Sequence, residues 1–125
     1  MLLRILVGLL CLAHGLVHLL YLAPDVPEFS MSSSWVVPEA ARRPVAVVLM
    51  VATIALFGLL ALALWGVPGL AGAWPQLAVL ASVLSLMLLV AYWNARLVWG
   101  VAIDLVILGV ALARPAWARQ ALGGP

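Results

Sequence analysis

Two histidines, His14 and His18, stand four positions apart in a run of leucines and valines, and one aspartate, Asp104, interrupts a second such run. Residues four apart share one face of a helix. Imidazoles on a common face could exchange protons near neutral pH, offer ring nitrogens to a metal, or share hydrogen bonds with a carboxylate. A His-x-x-x-His pair supplies two ligands, whereas zinc takes three or four. Asp104 is the candidate third, so His14, His18 and Asp104 are the candidate metal set. Two histidines four apart cannot grip opposite faces of one haem, and the chain has no other histidine. Haem would therefore require a second copy or another subunit. The glutamate of the zinc-protease motif is absent, because glycine stands at position 15. There is no phosphate loop, dinucleotide fingerprint, Cys-x-x-Cys or nucleophile elbow. No catalytic residue is assigned, no cofactor is expected, and the reading leans away from an enzyme.

The elements that must position these groups follow from composition. Of 125 residues, 68% are hydrophobic and 8% charged, and mean hydropathy is +1.29. A soluble domain carries about 25% charged residues. So few charges cannot cover a water-facing surface, and lipid must solvate most of the chain. The chain contains no lysine, and its six basic residues are arginines near the ends of apolar runs, where long stems reach an interface. The net charge of +2 comes from scattered groups and forms no basic patch, which argues against nucleic acid. One cysteine, Cys11, excludes an intrachain disulfide. The first apolar run does not read as a cleaved signal: histidines interrupt it, no Ala-x-Ala site follows, and Pro24 comes directly after Ala23. Nor does Cys11 read as a lipoprotein site, because Leu10 precedes it where a small residue is needed.

A helix needs roughly 20 apolar residues to cross about 30 Å of hydrocarbon. Four stretches qualify: 2–22, stopped by Pro24; 44–65, with Pro44 at its first position; 74–93, with Pro75 near its start; and 97–114, ending before Pro115. The expected fold is an all-α integral membrane four-helix bundle, one domain over 1–125, with one long loop, 23–43, between spans one and two. That loop holds Asp25, Glu28 and Glu39 and the prolines Pro24, Pro27 and Pro38. Gly66, Pro68, Gly69 and Gly72 break the second helix, and the tight turn Asn94-Ala95-Arg96 makes spans three and four antiparallel neighbours. Trp65, Trp74, Trp93, Trp99 and Trp117 fall at span ends, as interfacial aromatic belts do. Both termini lie on one side. Arg4, Arg114 and Arg119 on that side balance Arg42, Arg43 and Arg96 on the other, so the positive-inside count is tied. The free amino terminus tips the reading toward a multi-pass cell-membrane protein with cytoplasmic termini.

Within span one, Arg4, Gly8, Cys11, His14, Gly15 and His18 share roughly a third of the helix circumference at about 100° per residue. Small and polar residues on one stripe face protein, since they let backbones approach closely. Measured from the long-loop end at about 1.5 Å per residue, His14, Asp104, Ser85 and Thr53 lie roughly 10–13 Å deep and His18 roughly 6 Å. Each span thus places a polar group in the half nearer the loop, and the expected cluster is His14, His18, Thr53, Ser82, Ser85 and Asp104. Tyr21, Trp35, Tyr92, Asn94 and Arg96 form its expected rim. The bland alternatives stand beside this reading. Histidines between helices commonly do no more than hydrogen-bond, and serine and threonine hydroxyls often bond back to their own helix.

The opening His14-Gly15-Leu16-Val17-His18-Leu19-Leu20-Tyr21-Leu22-Ala23-Pro24 resembles that of small bacterial four-span proteins of unknown function. So do Ser34-Trp35, Arg43-Pro44-Val45-Ala46, Ser82 with Ser85-Leu86, and Tyr92-Trp93 through Gly100-Val101-Ala102-Ile103-Asp104. The resemblance covers most of the chain and implies the same fold and polar set, without an activity. Where that group carries histidine-proline after the third-span tryptophan, this chain has Asn94-Ala95. A looser likeness to DoxX-type proteins rests on size and span count. Three functions follow as expectations. The first is a non-enzymatic structural or accessory bundle, as a homo-oligomer or a subunit of a larger membrane complex. The second is a proton or small-solute pathway through His14, His18 and Asp104. The third is a metal- or haem-binding redox protein.

Overall fold

The computed structural model describes every residue except Pro24, Asp25, Gly124 and Pro125. The described residues are helical, with no strand among them. Five α-helices run in order: α1 Leu2–Val17, α2 Glu39–Leu64, α3 Trp74–Ala91, α4 Val98–Ala113 and α5 Ala116–Leu122. With the 3₁₀ turns that extend them, four stretches are long and apolar enough to cross a membrane: Leu2–Leu22, Glu39–Leu64, Ala71–Ala91 and Ala95–Ala113.

The differences from the expected boundaries have local causes. Span one is α-helical only to Val17 and then tightens into a 3₁₀ turn, His18–Leu22. The Pro24 stop and Asp25 lie outside the described residues. The second helix starts at Glu39, earlier than expected, directly after the extended Pro38. An acid in the first turn suits the positive end of the helix dipole. Pro44 is therefore inside α2 and not at its first helical position. Its missing N–H takes away the bond the Ala40 carbonyl would otherwise accept. Independently of that gap, the Tyr92 hydroxyl donates to the Arg42 carbonyl. The long connection shortens to 23–38 and contains a 3₁₀ turn, Pro27–Phe29. Gly66 and Gly69, at φ +85° and +87°, turn the chain between α2 and α3. Helix α5 was not expected. Arg114 adopts a left-handed φ of 44°, and a further short helix follows Pro115.

Packing follows the chain as a meander, with α1 on α2, α2 on α3 and α3 on α4. No comparable interface joins α1 to α4. The interior divides into two apolar clusters. One includes Cys11, Phe57, Leu60, Leu64, Trp74 and Ala81 and is closed below by Ala118 and Leu122 of α5. The other, toward the long connection, gathers Tyr21, Met31, Met50, Leu88, Tyr92 and Leu97.

Each end is tied by side chains that bond backbone carbonyls, several of them left over where helices stop. At the terminal end, Arg4 Nε donates to the Leu64 carbonyl at 2.8 Å, and the Trp65 indole donates to the Ile5 carbonyl at 3.2 Å. The Trp74 indole donates to the Gly123 carbonyl at 2.7 Å and holds α5 in place. Trp74 is buried, so it is an internal bolt and not a belt residue, whereas Trp93, Trp99 and Trp117 are exposed. At the other end, Ser34 Oγ and the Trp35 indole donate to the Ala91 and Val90 carbonyls, each at 2.6 Å. The long connection is thereby pinned to the C-terminus of α3.

Candidate functional site

Asp104 has no accessible surface, although it sits in the middle of α4. Its two oxygens reach two different helices. His14 Nε2 on α1 is hydrogen-bonded to Oδ1 at 2.7 Å. Ser85 Oγ on α3 is paired with Oδ2 at 2.5 Å. Ser85 Oγ also meets His18 Nε2 at 2.8 Å. His18 Nδ1 turns back to its own helix and donates to the carbonyls of His14 and Gly15 at 3.0 and 3.1 Å. One chain of hydrogen bonds therefore runs His14–Asp104–Ser85–His18 and links α1, α4 and α3.

The sequence builds this locally. His18 falls where α1 tightens to 3₁₀, which turns its ring over the last α-helical carbonyls. Gly15 lets α2 approach: a Cβ there would stand 2.6 Å from the Cβ of Phe57. The Phe57 ring then packs edge-on to His14 at 5.1 Å and stacks with His18 at 6.3 Å. Phe57 thus closes the α2 side of the site with an apolar face. Sequence reading did not single it out. The usable signal was its position one turn beyond Thr53, on the same helix face.

Counting protons narrows the states of the chain. His18 Nδ1 faces two carbonyls and must carry hydrogen. Ser85 has one hydrogen to give. If it goes to Asp104, His18 Nε2 must also be protonated, and a carboxylate balances an imidazolium. If Ser85 instead donates to His18, Asp104 must donate to Ser85, and all groups are neutral. These two arrangements satisfy every atom and leave no net charge, and they differ by two protons moving along Asp104–Ser85–His18. In both, His14 is neutral, with hydrogen on Nε2 and a bare lone pair on Nδ1. A net charge of zero matters because an unbalanced buried charge is costly.

Of the six residues expected to cluster, the structure joins four. Thr53 and Ser82 are buried, but their hydroxyls make no hydrogen bond among the described residues, so they stand outside the chain. Among the rim residues, Tyr21 is buried, its hydroxyl has no partner among the described residues, and its ring packs edge-on against Phe29. Trp35 and Tyr92 serve as ties, as described above. Asn94 caps the turn before α4 by accepting from the Arg96 amide at 2.9 Å. Arg96 lines a cavity beside His14 and His18. As to metal, both His18 nitrogens and His14 Nε2 are turned to protein groups. No three His, Cys, Asp or Glu side chains are placed to hold an ion among the described residues.

Beside the hydrogen-bonded chain, the α1–α4 seam is hollow. A cavity of about 380 Å³ opens there between His14 and Cys11 on one side and Trp99 and Val106 on the other. No family model, curated protein or solved structure matches this chain.

Proposed function

We propose that this chain is a multi-pass membrane protein with a non-enzymatic, accessory role, and that the His14–Asp104–Ser85–His18 chain is the clasp that sets its helix packing. Support for the membrane reading is the outer surface. Leu10, Val48, Val106 and Leu112 each expose about two-thirds of their area or more, which water would not tolerate over a whole molecule. The observation that carries the clasp is Asp104. One fully buried carboxyl group ties α1 to α4, where side-chain packing between the two helices is otherwise slight. An acid within a span is costly and survives where it is paired.

Accessory bundles work in company, so the protein's setting is the bilayer, as a homo-oligomer or beside a partner subunit. The sequence resemblance to small four-span proteins agrees with this setting and adds no activity. The competing proton-pathway reading draws on the two-proton shift between Asp104 and His18. Against it, the half of the bundle nearer the termini is lined by apolar side chains, and its cavities present no titratable pair to carry that proton onward.

The test is reconstitution. Liposomes carrying the protein and a pH-sensitive dye should conduct protons no faster than empty ones. Flux that disappears in Asp104→Asn would overturn the accessory reading in favour of a pathway.

A further inference from the structure

The clasp is strung across the gap it closes. Three cavities lie in file along the α1–α4 seam, of about 230, 380 and 210 Å³. The first two meet at His14, Trp99 and Ile103, and the last two share Val7, Cys11, Val106 and Ile107. From Trp99 to Val110 the file is roughly 16 Å long at about 1.5 Å per residue. Its walls are apolar except near His14, His18 and Arg96 at one end.

One atom in that wall is left over by the hydrogen bonds among the described residues. His14 keeps its ring nine-tenths buried and spends Nε2 on Asp104. Its Nδ1 has no hydrogen-bond partner among the described residues. Both proton arrangements leave this nitrogen as a bare acceptor. In a hydrocarbon setting an unmet polar atom is costly, and the group that meets it must donate a hydrogen. A saturated acyl chain cannot do so, nor can the ester carbonyls of an ordinary phospholipid.

We infer that the α1–α4 seam is a binding site for a lipid-soluble molecule bearing a hydroxyl, such as a long-chain phenol or alcohol, with its O–H donated to His14 Nδ1 and its chain lying along Cys11, Val106 and Ile107. The inference rests on the proton placement imposed by the clasp, and not on the accessory role. Entry is sideways from the bilayer, past Trp99, which is 77% exposed at the mouth. The seam thus selects by hydrogen-bond direction at one end and by shape along the rest.

The probe is dodecylphenol carrying a diazirine on its chain, photolysed with the whole protein in phosphatidylcholine nanodiscs. Labelled peptides should map to α1 and α4 around Cys11 and Val106. Plain dodecylphenol should compete for this labelling about tenfold better than its methyl ether, the difference expected from one hydrogen bond. Ile103→Trp, a residue at the junction of the two larger cavities, should abolish labelling while helical content and thermal unfolding stay as in the parent. Equal competition by the ether, labelling spread over other helices, or undiminished labelling of Ile103→Trp would each overturn the inference. None of these outcomes touches the hydrogen bonds of the clasp, so its failure and that of the clasp can be told apart.

Discussion

Replacing Asp104 tests the clasp because two substitutions of similar size predict different losses. In Asp104→Asn the amide oxygen still accepts from His14 Nε2. The amide NH₂ then donates to Ser85, and Ser85 donates to His18 Nε2. This is the pattern of the all-neutral arrangement, so every bond survives; the second amide N–H is left over, and the expected cost is about 1–2 kcal/mol, below that of Leu. In Asp104→Leu the Ser85–His18 pair persists, but the bonds to His14 and Ser85 go. Two hydrogen bonds at about 1 kcal/mol each, plus a stranded His14 N–H at about 1–3 kcal/mol, give an expected loss of about 3–5 kcal/mol. The assay is reversible unfolding by dodecyl sulfate in mixed micelles, followed by far-UV circular dichroism. Cys11 is a second readout: it is buried in the same seam less than one turn from His14, so its thiol should react with maleimide faster as the clasp opens. His14→Leu combined with Asp104→Leu should recover at least about 1 kcal/mol relative to the sum of the single changes, because no donor is then left stranded. Equal losses for Asn and Leu would refute the hydrogen-bond reasoning and show that the charge itself is needed. No loss for Leu would refute the clasp.

Other predictions follow from contacts elsewhere. Gly15→Ala forces a Cβ to within 2.6 Å of the Phe57 Cβ; α1 and α2 must separate, and the same unfolding assay should read a loss of about 1–3 kcal/mol. Trp74→Phe keeps the ring but loses the bond to Gly123; α5 should loosen, and proteolysis after Arg114 or Arg119 should speed up several-fold while the four longer helices persist. Ser34→Ala with Trp35→Phe frees the ties to the end of α3; hydrogen exchange should rise across the connection 26–38 and leave the amides of Phe57 and Ser85 protected.

How much of this was legible in the sequence depends on which interaction decides each feature. The four long apolar helices were legible because length and hydropathy set them, and these are properties of the chain alone. Helix ends were less so. Pro44 reads as a helix start by propensity, yet α2 begins at Glu39, where the extended Pro38 ends the connection and an acid suits the first turn. Helix α5 was hidden because its apolar face is short and gains its meaning from a tie, Trp74 to Gly123, that joins residues far apart in sequence. The stripe of small and polar residues on span one did point at protein. Gly8 and Gly15 both lie against α2-side rings, Trp65 and Phe57. Depth alone could not separate Ser85 from Ser82, one helical turn apart. Rotation about α3 and the reach of His18 decide which hydroxyl joins the chain, and those depend on the tightening of α1 after Val17.

The placement of the clasp gives the bundle an uneven mechanical character. Three of the four neighbouring helix faces are held by continuous apolar packing, which resists opening along its whole length. The fourth, α1 against α4, is held chiefly at one level, with a hollow on either side. A load or ligand that parts the seam therefore meets resistance concentrated in the His14–Asp104 hydrogen bond, the one of the two bonds to Asp104 that crosses it, worth about 1–3 kcal/mol. Opening there needs no rupture of either apolar cluster, because α1 remains packed on α2 and α4 on α3. The buried polar chain is thus placed where it fixes the closed arrangement of the helices and where that arrangement is most easily changed. A substitution in it should alter the seam long before it alters the four-helix fold.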